Sequence, residues 1–253
     1  MEISHVLTAV NDSKNYTRFI PLFIKYWEKL YPNIKPLIIF IGEEIPEEYI
    51  QYKDNIIKFD PIEGINTPYM AQTIRLLWPA IVDTTGSVLI SDMDMIPAND
   101  NYFKNAMVGC NINSFVSLRP EDIIGHEQIP MCYNSATPEV WSSVFGIKNQ
   151  EDIIKFLKTH HKSEFDGKHG GKGWYTDQQL LSSYVMNWKN KGNSVEFVED
   201  YMTGFNRLGH EKHHYNIDTF LNMVNTGNFS DSHFYAFECP WTQKDINTII
   251  NKQ

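Results

Sequence analysis

With 253 residues, 42% of them hydrophobic and 13% aromatic, the chain is sized for one large globular domain and is too apolar to stay disordered. Its formal net charge of −9 excludes a nucleic-acid or anionic-membrane partner held by bulk electrostatics. Any phosphate the protein binds must be held locally.

Ile3 to Val10 reads as a first strand. Asn15 to Leu30 follows as a helix, because Phe19, Leu22, Phe23, Tyr26, Trp27 and Leu30 recur at three-and-four spacing. Pro36 to Ile41 and Asn55 to Phe59 are strands, Tyr69 to Val82 a helix, and Ser87 to Ser91 a fourth strand. This alternation predicts a doubly wound α/β sheet, mixed but mainly parallel, with ligands outside the carboxyl ends of its strands. Further on, Phe115 to Leu118 and Met131 to Asn134 read as strands, Asn149 to His160 as a capped helix, and Thr176 to Lys191 as a helix opened by Thr176 or Asp177. Between those helices, Lys162 to Trp174 carries four glycines and no periodicity, which predicts a mobile loop.

The start, MEISHVLTAV, has no basic region before an apolar run, and no window holds about 18 uninterrupted apolar residues. The expectation is a cytoplasmic protein without an integral membrane segment. Cys110, Cys132 and Cys239 are odd in number and form no CxxC pair, so neither a disulfide framework nor a structural zinc site is predicted.

The stretch Val88 to Pro97, VLISDMDMIP, ends an apolar strand with two carboxylates one residue apart. Residues i and i+2 of a strand share a face, so Asp92 and Asp94 aim at one point. Hard oxygen donors in that arrangement suit Mg²⁺ or Mn²⁺ on a nucleotide diphosphate. A rival is His210-Glu-Lys-His-His214, which satisfies the HExxH zinc pattern. Gly209 precedes it and no helical stripe supports it, so it reads as a surface or acceptor-lining loop. Gly167 to Gly173 lacks the spacing of a phosphate-binding Walker loop.

The C-terminal stretch joins these features. His233 followed by Pro240-Trp241 resembles the H-x-x-G-x-x-K-P-W motif of glycosyltransferase family 8 and related GT-A fold enzymes. Asn15-Tyr16 resembles that family's nucleotide-binding segment, Thr73 to Pro79 its R-L-x-x-P helix, and Ser91 to Asp94 its D-x-D. Tyr133-Asn-Ser135 is similar to its N-[AS]-G segment and Thr176-Asp-Gln178 to its D-Q helix start. The resemblance implies a single GT-A catalytic domain over 1–253, with a nucleotide-binding half at 1–110 and an acceptor-binding half at 111–253. It also implies an enzyme that moves a sugar from a UDP-sugar to a hydroxyl of a glycan, glycoconjugate or protein, with Mn²⁺ or Mg²⁺ held by Asp92, Asp94 and His233. Asp12 and Tyr16 then become candidates for the uracil pocket, Arg75 and Asp92 for donor contacts, and Asp177 and Gln178 for the reacting centre.

Two positions depart from the motif: Ala236 stands at its glycine and Cys239 at its lysine. A thiol supplies no positive charge, which makes Lys168, Lys172 or the histidines at 210 to 214 candidates for the missing cation, with 162 to 174 closing over the donor as a lid. Asp177 would orient or deprotonate the acceptor in an inverting enzyme, whereas Gln178 would stabilise the sugar cation in a retaining one. A metal-dependent nucleotidyltransferase shares the sheet and carboxylates but needs a glycine-rich basic loop after the first strand, of which Val10 to Tyr16 is a poor version. A non-catalytic nucleotide-sugar-binding protein is the remaining alternative.

Overall fold

The computed structural model of the chain describes residues 1–119, 128–162, 164–168, 170–208, 216–226 and 229–251. In chain order these form β1 (Ile3–Asn11), α1 (Lys14–Thr17), α2 (Ile20–Leu30), β2 (Lys35–Ile41), β3 (Ile56–Phe59), α3 (Thr67–Leu77), β4 (Ser87–Ile90), β5 (Met95–Pro97) and α4 (Tyr102–Ala106). There follow β6 (Phe115–Leu118), β7 (Asn134–Ala136), α5 (Pro138–Phe145), α6 (Gln150–His160), α7 (Thr176–Asn190), β8 (Val195–Val198), α8 (Asp200–Thr203), β9 (Asn206–Leu208), α9 (Ile217–Thr226), β10 (Phe229–His233) and α10 (Gln243–Asn251).

Seven strands form one sheet in the order β3-β2-β1-β4-β7-β6-β8. Neighbours pair in parallel except β7, which runs antiparallel to both β4 and β6. Leu37 to Ile41 and Ser87 to Ile90 are buried at every position, so both sheet faces are covered and these strands read as unbroken apolar runs. The chain leaves β1 toward β2 on one side and returns to β4 on the other. That reversal opens a crevice at the carboxyl ends of β1 and β4, where α/β sheets place ligands.

Proline accounts for where the helices depart from the sequence pattern. The predicted helix from Asn15 to Leu30 is two helices, because Pro21 can occupy only the first turn of α2. The predicted Tyr69 to Val82 helix starts earlier, with Pro68 in its first turn, and stops at Leu77, after which Pro79 forces a 3₁₀ turn over Trp78–Ile81. The strand expected over Met131 to Asn134 begins only at Asn134, whose amide donates back to the carbonyls of Pro130 and Met131 and so stabilises a bend there. The Lys162 to Trp174 segment is irregular among its described residues, yet it is anchored: Phe165 is buried against Tyr69. No helix among the described residues is long and apolar enough to cross a membrane. All three cysteines are buried, and none is in a disulfide.

A second sheet, in the order β5-β10-β9, lies across the crevice. It joins the large sheet through a buried ionic cluster. Arg119, itself in a left-handed conformation at φ 62°, donates Nη1 to Asp231 at 2.8 Å, Nε to the Tyr102 hydroxyl at 3.0 Å, and pairs with Asp200 at 2.8 Å. Tyr133 donates to the other Asp231 oxygen at 2.9 Å, and Ser230 also donates to Asp231 at 2.5 Å. Asp231 is wholly buried, so its charge depends on these partners. Replacing Arg119 with Met should destabilise the protein by about 3–5 kcal/mol in urea denaturation, because an uncompensated carboxylate remains. Adding Asp231→Asn to that variant should restore part of the loss, and simple additivity of the two substitutions would contradict the coupling.

Candidate active site

The crevice at the carboxyl ends of β1 and β4 is a cavity of about 840 Å³. Asn11 and Tyr16 enter it from the end of β1 and from α1, and Asp92, Met93 and Asp94 from the turn after β4. Pro68, Ala71, Gln72 and Arg75 line it from α3 because residues three, four and seven apart share one helical face. Asp177 and Gln178 contribute the first turn of α7, and His233 with Tyr235 to Glu238 the C-terminal wall.

How His233 reaches the paired aspartates is a matter of strand pairing. β10 runs antiparallel to β5 with His233 opposite Met95, one residue beyond Asp94. The ladder continues past the strand end, where Phe234 N–H donates to the Asp94 carbonyl at 2.9 Å and Ala236 N–H to Asp94 Oδ2 at 2.7 Å. His233 Nε2 then lies 3.7 Å from Asp94 Oδ2. The segment beyond is clamped by Arg18 at the α1–α2 junction, which donates to the carbonyls of Ala236 at 2.5 Å, Cys239 at 2.9 Å and Trp241 at 2.6 Å. A guanidinium thus stands beside the segment whose motif lysine is Cys239, and it is spent on backbone carbonyls.

Arg75 is buried between two carboxylates. It is bonded to Asp92 through Nη1 and to Asp177 through Nη2, the latter at 3.2 Å. Burial alone would lower its pKa, but the charges of Asp92 and Asp177 outweigh that and raise it. For Asp92, burial pushes up and is overcome by Arg75 and a hydrogen bond with Cys132, so the carboxyl sits below its usual range. Cys132 Sγ also accepts the Asp92 N–H at 2.9 Å. Asp94 lies the other way: burial raises it, His233 opposes, and the Asp92 charge raises it further. Burial likewise pushes Asp177 up to about 6 against the pull of Arg75 and of the Gln178 N–H, which donates to Oδ1 at 2.8 Å.

Tyr16, Arg75, Asp92, Asp94, Asp177, Gln178 and His233 therefore meet at one cavity although they are far apart in sequence. Asp12, Lys168 and Lys172 do not: all are exposed and outside its lining, while their neighbours Asn11, Ser13 and Gly167 form part of it. The histidines at 210, 213 and 214 lie outside the described residues. Sequence reasoning missed Gln72, Cys132, Arg18 and Glu238. Gln72 was recoverable, since it sits one helical step from Arg75; nothing local marked the others.

Among the described residues, no three His, Cys, Asp or Glu side chains are gathered as a metal cage. Of the predicted set of Asp92, Asp94 and His233, Asp92 is bonded to Arg75, and His233 Nε2 lies 3.7 Å from Asp94 Oδ2. The donor chemistry nevertheless fits a hard divalent ion: two carboxylates and an imidazole face one cavity, and the Asp94 carboxyl, raised by burial and by the Asp92 charge, is one that a cation would lower.

This sheet order, with a crevice at the paired-aspartate strand end, is the GT-A fold of glycosyltransferases. No family model and no curated protein matches the sequence. The likeness is three-dimensional. The apo form of glycosyltransferase GlyE from Streptococcus pneumoniae TIGR4 superimposes with a TM-score of 0.53 at 16% identity, over 100% of this chain and 63% of that one. The chain thus spans less than two thirds of GlyE. Galactosyltransferase LgtC, solved in complex with donor and acceptor sugar analogues, superimposes with a TM-score of 0.51 at 14% identity, over 98% of this chain and 95% of its own. At these identities the likeness establishes the architecture.

The Asp177 shift has a consequence for stability. Its folded pKa of about 6 exceeds the ordinary 3.8, so the folded state binds the extra proton. The stability from that proton is full below pH 3.8 and is lost as pH rises through about 6. Subtracting the stability profile of Asp177→Asn from that of the wild type, by urea denaturation at each pH, should leave a decline confined to this window. A flat difference would refute the shift.

Proposed function

We propose that the chain is a metal-dependent glycosyltransferase that takes a sugar from a UDP-sugar and passes it to a hydroxyl acceptor. The observation that carries the reading is the charge imbalance at the cavity. Asp92, Asp94 and Asp177 face it with one paired guanidinium, Arg75, in the crevice where this fold has its switch point. A diphosphate cannot enter such a site without further positive charge. Asp92, Asp94 and His233 are the residues that would hold a divalent ion, Mn²⁺ or Mg²⁺, and its chemistry there is to neutralise charge growing on the departing diphosphate.

The chain's own groups suggest the remaining roles. Tyr16, at the exit of β1, borders the cavity where a base would enter, and residues 1–110 supply it together with Arg75 and the aspartate pair. Residues 111–253 supply Gln178, His233 and the aromatic wall, which suits the acceptor side. Both oxygens of Asp177 already accept hydrogen bonds, from Gln178 N–H and Arg75, so its first role is to orient Arg75. Gln178 is partly exposed in the cavity and weakly basic, which favours it as the group facing the sugar cation and favours retention of configuration. The anomeric form of the product, read by NMR, tests this directly: an inverted product returns Asp177 to the role of base.

Mn²⁺ and UDP together should raise thermal stability well beyond either alone, with about 2.7 kcal/mol added at 100 times the dissociation constant. UDP shifts that are identical with and without Mn²⁺ would overturn the metal reading. Asp94→Asn keeps an acceptor for the Ala236 N–H but loses the charge. It should lower UDP-sugar turnover by about 10³-fold, or about 4 kcal/mol of transition-state stabilisation, while the unfolding midpoint stays near wild type. Unaltered turnover would sink the assignment.

A further inference from the structure

Eight large hydrophobic side chains are exposed among the described residues, and two of them, Tyr175 and Phe237, line the cavity. They are 47% and 45% exposed, and both are aromatic. Trp174 joins them, with its ring centroid 6.2 Å from that of Phe237 at an interplanar angle of 68°. Phe237 in turn meets Tyr16 edge-on, at 5.3 Å and 88°. The two sides of this rim come from different places: Trp174 and Tyr175 directly precede the Asp177–Gln178 turn of α7, whereas Phe237 and Glu238 ride on the turn after β10. That turn starts at Tyr235, held at φ 49°, and closes with hydrogen bonds from Glu238 N–H at 2.8 Å and Cys239 N–H at 2.9 Å to the Tyr235 carbonyl. It is also the segment held by Arg18.

The geometry points to an acceptor subsite: we propose that Trp174, Tyr175 and Phe237 form a platform for a neutral pyranose, with the Glu238 carboxylate accepting hydrogen bonds from its hydroxyls. Among the described residues, the rings of Tyr16 and Trp174 meet that of Phe237 at 88° and 68°, tilted toward edge-on rather than in parallel. They form a corrugated wall, which suits a puckered chair whose weakly positive C–H groups lie against aromatic faces. Glu238 supplies acceptor oxygens at the same edge and, within a chain of net charge −9, disfavours an anionic sugar. The platform adjoins Asp177 and Gln178, the position an acceptor must take. Its role as an acceptor site rests on the glycosyltransferase reading; the binding itself does not.

Saturation-transfer NMR on the whole protein tests this without any turnover. The probes are methyl β-D-galactopyranoside, methyl β-D-glucopyranoside and methyl α-D-mannopyranoside, with methyl β-D-glucuronide as the anionic comparison and UDP-glucose with Mn²⁺ as the donor comparison. At least one neutral glycoside should receive saturation at its ring C–H protons, and the glucuronide should receive less. Trp174→Leu keeps apolar bulk but loses the ring, and it should weaken that glycoside by about tenfold while leaving UDP-glucose binding unchanged. Tyr175→Ala, at a half-exposed side chain, provides the same readout should the tryptophan variant fail to fold. Phe237→Leu should weaken the glycoside as well, and because its ring meets Tyr16 it is read on the glycoside alone. Silence from every neutral glycoside, glycoside binding that survives all the substitutions, or a parallel loss of UDP-glucose binding in the Trp174 or Tyr175 variant would each overturn the subsite. Glycoside binding by a protein that binds no nucleotide sugar would leave the subsite standing and remove the donor reading instead.

Discussion

The candidate site depends on one strand pairing. β10 lies antiparallel to β5, and because β5 starts one residue after Asp94, every residue that β10 delivers to the crevice is positioned relative to the paired aspartates. The same ladder sets His233 near Asp94, turns the Ala236 N–H onto its carboxylate and projects Phe237 to the rim. A three-residue strand such as β5 has few ladder hydrogen bonds of its own. The Arg119–Asp231 cluster behind it supplies what the ladder lacks, and Arg18 fixes the outgoing chain.

The electrostatics of the crevice follow from the same crowding. Carboxylates from the β4 turn and from α7 are brought together in a partly dry space, and Arg75 is the cation that makes this tolerable. It does so unevenly. Asp92, bonded to Arg75, is driven toward its ionised form, whereas Asp94 and Asp177 are pushed the other way by burial. Under the proposed metal-dependent reading, a bound cation would offset the burial that raises Asp94 and Asp177.

Much of the first half of the fold was legible because its elements bury themselves in regular patterns. The helical spacing from Phe19 to Leu30 and the apolar runs at Ile3, Pro36 and Ser87 each name their element, and the errors fall at prolines, where a single ring ends a helix the pattern would continue. Beyond residue 119 the elements are shorter: β7 and β9 have three residues each, too few to show a period. Of the site, Asp92 and Asp94 announced themselves as charges at the end of an apolar strand. Arg18, Cys132 and Glu238 gave no such signal.

By itself, then, the sequence determined the class of sheet, the strand end at which the candidate site lies, and the residue types available there, since these follow from periodicity and from the cost of placing charge beside an apolar run. Tertiary structure alone decided the partners. Arg75 lies 17 residues from Asp92 and 102 from Asp177, and Ala236 lies 142 from Asp94, so no local pattern links them. It also separated Lys168 and Lys172 from the cavity and gave Arg18 to backbone carbonyls, because where a long side chain ends depends on which unpaired groups the folded chain brings within its reach.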